Sequence, residues 1–253
     1  MRVFRGFEKL PHFTRGVATI GSFDGVHRGH RVLLERVCGQ ASEIGGESVV
    51  FTFEPHPRIT LGSAENLKLL NSTEEKLYLL ERAGIENVII IPFTPAFSRL
   101  SPHDFIAEYV AKIGIEYLIV GYNHRFGHNK SGDFSLLASS GNELHLKVIE
   151  VQQQLVEEAK VSSTVIRNVI AAGDMVRAEK LLDAPYLLIG DKAADGEIEF
   201  ADRQYKLLPP AGRYKATVDG RNSEITITDD GRVYDSIVSP PNKGKTIIKF
   251  TKW

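Results

Sequence analysis

Two histidines three residues apart, His27 and His30, sit in the segment Gly21-Ser-Phe-Asp-Gly-Val-His-Arg-Gly-His30, where Gly21, Gly25 and Gly29 leave room for a close turn. Imidazoles donate hydrogen bonds. A glycine-rich turn that opens a helix points backbone N–H groups, and the positive end of the helix dipole, at an anion. The flanking residues fit that geometry: Gly16-Val-Ala-Thr-Ile20 reads as a buried strand, and Arg31-Val-Leu-Leu-Glu-Arg-Val37 has the apolar spacing of a helix. The spacing predicts both imidazoles on the first helical turn, facing one phosphate. The segment is neither a Gly-Lys-Ser/Thr phosphate loop nor a Gly-x-Gly-x-x-Gly dinucleotide fingerprint. Without a ligand, the same residues make a turn with two surface histidines.

Three further segments carry comparable residue types. Phe51-Thr-Phe-Glu-Pro-His-Pro-Arg58 closes a second strand. Its prolines fix an extended exit around His56, and Phe53 offers a wall to a flat ring; as plain structure, the aromatics belong to the core. Gly121-Tyr-Asn-His-Arg-Phe-Gly-His128, followed by Asn129-Lys-Ser-Gly-Asp133, mixes rings, amides and cations. That suits a ligand with ring and phosphate parts, or a polar surface loop. Val161-Ser-Ser-Thr-Val-Ile-Arg167 offers hydroxyls, helix-start N–H groups and a guanidinium able to grip two phosphate oxygens. A capped helix with a solvated Arg167 has the same sequence texture. His27, His30, His56 and His124 lack a carboxylate or cysteine at a metal-site spacing, so no metal ligation by them is expected.

These segments need a scaffold. Strands are expected at 16–22, 48–53, 87–92, 117–121 and 145–151, with helices near 27–44, 73–83 and 102–113. Ser72 and Ser101 are the expected caps of the last two. Alternating strands and helices imply a parallel sheet covered on both faces, with ligands beyond the carboxyl ends of its strands. All four segments are expected at those strand ends. Residues 162–183 read as two short helices. From 186 onward, short alternating runs such as Glu224-Ile-Thr-Ile-Thr228, broken by Asp-Gly and Pro-Pro turns, predict a small all-β module. The expected domains are therefore 1–185 and 186–253.

Composition narrows the partners. With 253 residues, 42% of them apolar and 25% charged, the chain has enough material for one large domain or two modest ones. A formal net charge of −1 gives no basic excess for nucleic acid, so a small phosphate-bearing molecule is the expected anion. The single cysteine, Cys38, permits neither an internal disulfide nor a multi-thiolate metal site, and reads as a small buried hydrophobe. No apolar run reaches membrane-spanning length, and the N-terminus lacks the apolar core of a secretion signal, so a cytoplasmic protein without a membrane partner is expected. Oligomeric state is not legible.

The His-x-Gly-His pattern after a strand resembles the signature of nucleotidyltransferases. In this order and spacing, the four segments together resemble the bacterial bifunctional riboflavin kinase/FMN adenylyltransferase family, the FAD synthetases, over about residues 15–186. The resemblance implies a Rossmann-like nucleotidyltransferase domain that binds ATP with magnesium, and FMN, and releases FAD and pyrophosphate. It places His27, His30 and Arg167 in catalysis. Gly21, Phe23, Asp24, Gly25, Gly29, Ser163 and Thr164 would serve ATP, and Phe53, Pro55, Pro57, Asn123 and Phe126 the flavin. The family's kinase domain is recognised by a Gly-rich segment leading into Pro-Thr-Ala-Asn, which is missing here: after Gly190 the chain reads Asp191-Lys-Ala-Ala-Asp-Gly196. A kinase-like strand entry returns at Leu207-Leu-Pro-Pro-Ala-Gly-Arg-Tyr214, but Asp219, Glu224, Asp229, Asp230 and Asp235 have no match to the catalytic Glu context. A truncated, kinase-like β domain without kinase activity is the expectation. Transfer to another phosphorylated substrate, or non-catalytic binding of flavin or nucleotide, are the alternatives.

Overall fold

The computed structural model describes residues 1–62, 67–122, 132–152, 155–156, 159–237 and 244–251. Its contacts divide the chain into two compact units: Met1–Phe23, Gly29–Glu65 and Leu79–Gln154 form the first, and Asp24–Arg28, Asn66–Tyr78 and Leu155–Trp253 the second.

The first unit is built on β1 (Arg2–Arg5), β2 (Gly16–Ile20), β3 (Ser48–Glu54), β4 (Asn87–Pro92), β5 (Ile115–Gly121) and β6 (Lys147–Val151). They pair in the order β1-β4-β3-β2-β5-β6, every neighbour parallel. Connections run through α1 (Arg28–Ile44), the single turn α2 (Pro57–Thr60), α3 (Thr73–Arg82), the turn α4 (Pro102–Phe105) and α5 (Phe134–Glu143). This is the expected Rossmann-like α/β sheet. β2 and the first five residues of β3 and β4 are buried throughout, as strands covered on both faces must be. β2 pairs with β3 on one side and β5 on the other. The 21–30 segment therefore leaves the carboxyl end of the strand at which the order reverses, where open α/β sheets bind ligands.

Three elements of this unit differ from expectation by omission: the turn α2, where an extended exit around His56 was expected, and β1 and α5. β1 is an edge strand, mostly exposed and held to β4 by backbone pairing, so it has no periodic apolar signature to read. α5 is rich in Ser, Gly and Asn, weak helix formers, and starts because the Asp133 carboxylate accepts from Leu136 N at 3.0 Å. The helix expected over 102–113 is a composite: after α4 the path widens to a π turn at Ile106–Val110, tightens to 3₁₀ at Ala111–Ile113, and ends at Gly114 with φ 83°. The caps are as expected. Ser101 Oγ accepts from Asp104 N, and Ser72 forms a reciprocal box with Glu75, each side chain accepting the other's backbone N–H. Cys38 is half-buried, its thiol pKa raised chiefly by burial.

In the second unit, the short pair β7 (Leu155–Val156) and β8 (Ala159–Lys160) precedes α6 (Ser163–Ala171) and α7 (Met175–Leu182). Then follow β9 (Tyr186–Lys192), β10 (Ile198–Glu199), β11 (Gly212–Val218), β12 (Arg221–Ile227), β13 (Val233–Asp235) and β14 (Thr246–Phe250). They form an antiparallel sheet in the order β10-β9-β14-β11-β12-β13. A bridge between Glu197 and Tyr234 joins its two edges, giving the small barrel-like module expected of the tail. The compact units are drawn differently from the expected 185/186 boundary. α6 and α7 share an apolar core with the barrel, in which Ile166, Ile170 and Leu182 lie with Leu188, Ile198 and Ile225.

Candidate active site

The second unit gathers one set of the predicted residues around Asp24. Gly25 has φ 93°, a left-handed conformation that favours glycine, and a Cβ there would lie 2.6 Å from Leu70 Cδ1, which would have to move. Phe23 and Val26 also adopt left-handed φ values, of 48° and 38°. For a β-branched valine that is a strained conformation, and such strain persists where surrounding contacts over-determine it.

Those contacts are explicit. Asp24 Oδ1 accepts from Leu70 N at 2.8 Å and Asn71 N at 3.3 Å, and Gly25 N donates to Asn71 Oδ1 at 2.8 Å. Arg167 Nη2 donates to Asp24 Oδ2 at 2.5 Å across 143 residues of chain, and Ser163 Oγ donates to the Asp24 carbonyl at 2.9 Å. Arg167 is thus no solvated helix residue: its side chain is 13% exposed and that of Asp24 5%. Arg167 Nε is buried with no hydrogen-bond partner among the described residues. Ser162, not Ser163, caps α6, and Thr164 is exposed on its first turn.

His27 is 7% exposed, and burial lowers its pKa from 6.5 to about 4, against the opposing field of Asp24. It is therefore a neutral imidazole at neutral pH, with one donor and one acceptor nitrogen. α1 begins at Arg28, so His27 precedes the helix and only His30 occupies its first turn, a correction to the placement of both on that turn.

The first unit holds the other set. Gly21 N donates to Phe51 O at 3.1 Å as β2 ends. The buried Phe23 ring meets the His30 ring edge-on at 5.1 Å, and Gly29 lies within the first turn of α1. Half-buried Phe53 packs against Phe93 at 5.3 Å and Phe97 at 6.2 Å. The Glu54–Pro55 peptide is cis, Pro55 is exposed, and Pro57 opens α2, whose first turn is capped by His56 Nδ1 accepting from Arg58 N. Asn123 and Phe126 lie outside the described residues.

Sequence reasoning missed Asn71, Phe93 and Phe97. The aromatic types beyond β4 were a readable signal for the last two, whereas Asn71 acts through a contact 46 residues away. Among the described residues, no group of three or more His, Cys, Asp or Glu is gathered to hold a metal ion, and no helix is long and apolar enough to cross a membrane.

Residues 10–165 match the FAD synthetase family. The bifunctional riboflavin kinase/FMN adenylyltransferase of Escherichia coli K12 is 32% identical over 193 residues, covering 75% of this chain and 62% of the relative. That of Listeria monocytogenes is 31% identical over 175 residues, covering 69% and 55%. The chain thus spans little more than half to about three-fifths of these relatives' length. A solved structure described as a macrolide-efflux protein from Streptococcus pneumoniae shares the fold, with a TM-score of 0.82 over 98% of this chain and 88% of that one at 22% identity.

Proposed function

We propose that this chain, which belongs to the FAD synthetase family, transfers AMP from ATP to FMN, giving FAD and pyrophosphate. The observation that carries the reading is the attachment of Arg167 to Asp24, in the same turn as His27. It brings a cation from a distant helix to a glycine-rich turn, an arrangement suited to a polyphosphate.

In this reading a phosphate oxygen of FMN attacks the α-phosphorus of ATP in line. The new P–O bond forms as the bond to the β-phosphate oxygen breaks, and the electron pair leaves with pyrophosphate. FMN phosphate is already anionic, so no general base is required and catalysis is positioning plus electrostatics. His27 and His30 act as donors to the reacting phosphates. Arg167, Thr164 and the backbone N–H of Ser163, whose hydroxyl is held on Asp24, receive the departing ones. Gly21, Phe23, Gly25 and Gly29 shape the turn, with Asp24 bound inside it. The flavin is met by Phe53, Pro55, Pro57, Asn123 and Phe126, with Phe93 and Phe97 supporting Phe53. Magnesium enters bound to ATP as part of the substrate.

Riboflavin kinase activity is absent in this reading, because the Pro-Thr-Ala-Asn segment is missing and Asp235 is occupied by Lys192 at 2.6 Å. The test is incubation with magnesium, ATP and either FMN or riboflavin. FAD and pyrophosphate should form from FMN, and no FMN from riboflavin. Binding of FMN and ATP without product defeats the transfer reading, and ATP-dependent FMN formation defeats the kinase-free one.

A further inference from the structure

We propose that Asp24 is the positioning residue for Arg167, fixing its guanidinium to present its remaining donors to an anionic phosphate; this rests on the adenylyl-transfer reading. An aspartate in a phosphate-binding turn is a paradox if it faces the ligand, since two anions repel. Here its oxygens are already committed. Oδ1 takes two backbone N–H groups, from Leu70 and Asn71, and Oδ2 takes Arg167 Nη2. The carboxylate is therefore located by the backbone on one side, independently of the arginine it holds on the other.

The attachment to α6 has two points. Ser163 and Arg167 are four residues apart and share one helix face, and both donate to Asp24, one to its carbonyl and one to its carboxylate. Ser163 thereby registers the helix, and the carboxylate orients the guanidinium. Arginine is the residue type for this task because its planar fork can serve a carboxylate and a second anion together. Its Nε is buried without a partner among the described residues, whereas buried donors in native proteins almost always have one. A phosphate oxygen is the acceptor this arrangement is built to receive.

The test is a double-mutant cycle of Asp24→Asn and Arg167→Ala, read by calorimetric binding of magnesium pyrophosphate and, separately, by FAD formation. Asparagine keeps an oxygen for Leu70 N and Asn71 N but turns an amide donor toward Arg167. Asp24→Asn alone should weaken pyrophosphate binding about tenfold, the scale of one charge-assisted hydrogen bond. In the Arg167→Ala background it should change binding less than twofold, because the group it positions is gone. Equal losses in both backgrounds, no loss in the wild-type background, or no pyrophosphate binding by the wild-type protein each overturn the proposal.

Arg167→Lys leaves Asp24 and its backbone contacts untouched, so it keeps the test decisive if Asp24→Asn fails to fold. It should bind as weakly as Arg167→Ala, and wild-type affinity in that variant refutes the fork argument. If the pyrophosphate cycle behaves as expected but no FAD forms, the positioning role stands and the transfer reading fails.

Discussion

In the first unit the ion pairs lie at the surface: Arg5 and Glu54 have side chains 63% and 36% exposed, and Lys112 and Glu108 61% and 56%. Among the described residues, the second unit buries Lys206–Glu75, Lys192–Asp235 and Arg167–Asp24. The first unit's apolar core includes Phe51, Phe105 and Leu118, and the polar residues it buries among the described ones, such as Thr19, Ser48 and Asn87, are uncharged. An apolar core tolerates approximate complementarity, but a buried charge requires every partner in place. Lys206 meets that demand fully. Its Nζ donates to Glu75 Oε2, Leu70 O and Leu187 O, and lies 4.4 Å from the Tyr186 ring centre. Burial lowers its pKa, and Glu75 opposes that shift. Lys192 is likewise closed, on Asp235 and the Ile237 carbonyl. Of these cations, Arg167 alone has a buried nitrogen without a hydrogen-bond partner among the described residues. In the proposed reading, the difference separates charge that holds the fold from charge held ready for a ligand.

That division can be broken most forcefully at Lys206. Lys206→Met should destabilise the protein by about 3–5 kcal/mol, read from the urea midpoint, because Glu75 stays buried without its cation. The double variant Glu75→Gln/Lys206→Met should recover most of the loss, and no recovery would mean that Lys206 acts through packing instead. Arg167→Ala should show the reverse pattern. FAD formation falls by a factor of roughly 10²–10³, the usual cost of one transition-state donor, while the urea midpoint moves less than in Lys206→Met. His30→Ala belongs with it, losing turnover by about the same 10²–10³. Near-wild-type turnover in either variant would remove the catalytic assignment.

A third contrast is in pH. His27 titrates near 6.5 in the unfolded chain and at about 4 in the folded one. Between those values only the unfolded state carries the proton, so stability is full above about 6.5 and declines as pH falls toward 4. The contribution is about 3 kcal/mol by linkage. His27→Gln should flatten the loss of urea midpoint between pH 7 and pH 4.5, and an unchanged slope would mean that His27 is protonated in the fold. The smallest effect belongs to the exposed pair: Arg5→Ala should cost no more than about 1 kcal/mol by the same assay.

Much of this contrast was out of reach of the sequence. The parallel sheet was legible because its strands are buried on both faces, so Val88-Ile-Ile-Ile91 is a continuous apolar run and Ser48–Phe53 a β-branched and aromatic one. The caps at Ser72 and Ser101 were legible because they act within three residues. The glycines and histidines of the 21–30 turn stood out by type and spacing. The partner of Asp24 did not, since a 143-residue separation leaves no local trace, and α6 with a solvated Arg167 would have the same sequence. Nor did the desolvation of His27, which depends on what packs over it. Val26 ran against local preference altogether, as no pattern rule places a β-branched residue at φ 38°.

The second unit is assembled from three separate stretches of chain, so the covalent thread enters and leaves it repeatedly. Glu75 is contributed by the stretch Asn66–Tyr78, and Lys206 by the barrel. A cut at 185/186 would leave one fragment with an uncompensated buried acid and the other with an uncompensated buried base. The barrel is thus no detachable cassette. It cannot be excised or swapped onto another protein without carrying the stretch Asn66–Tyr78 with it. Whatever chemistry the barrel carries, the packing of Glu75 depends on its body.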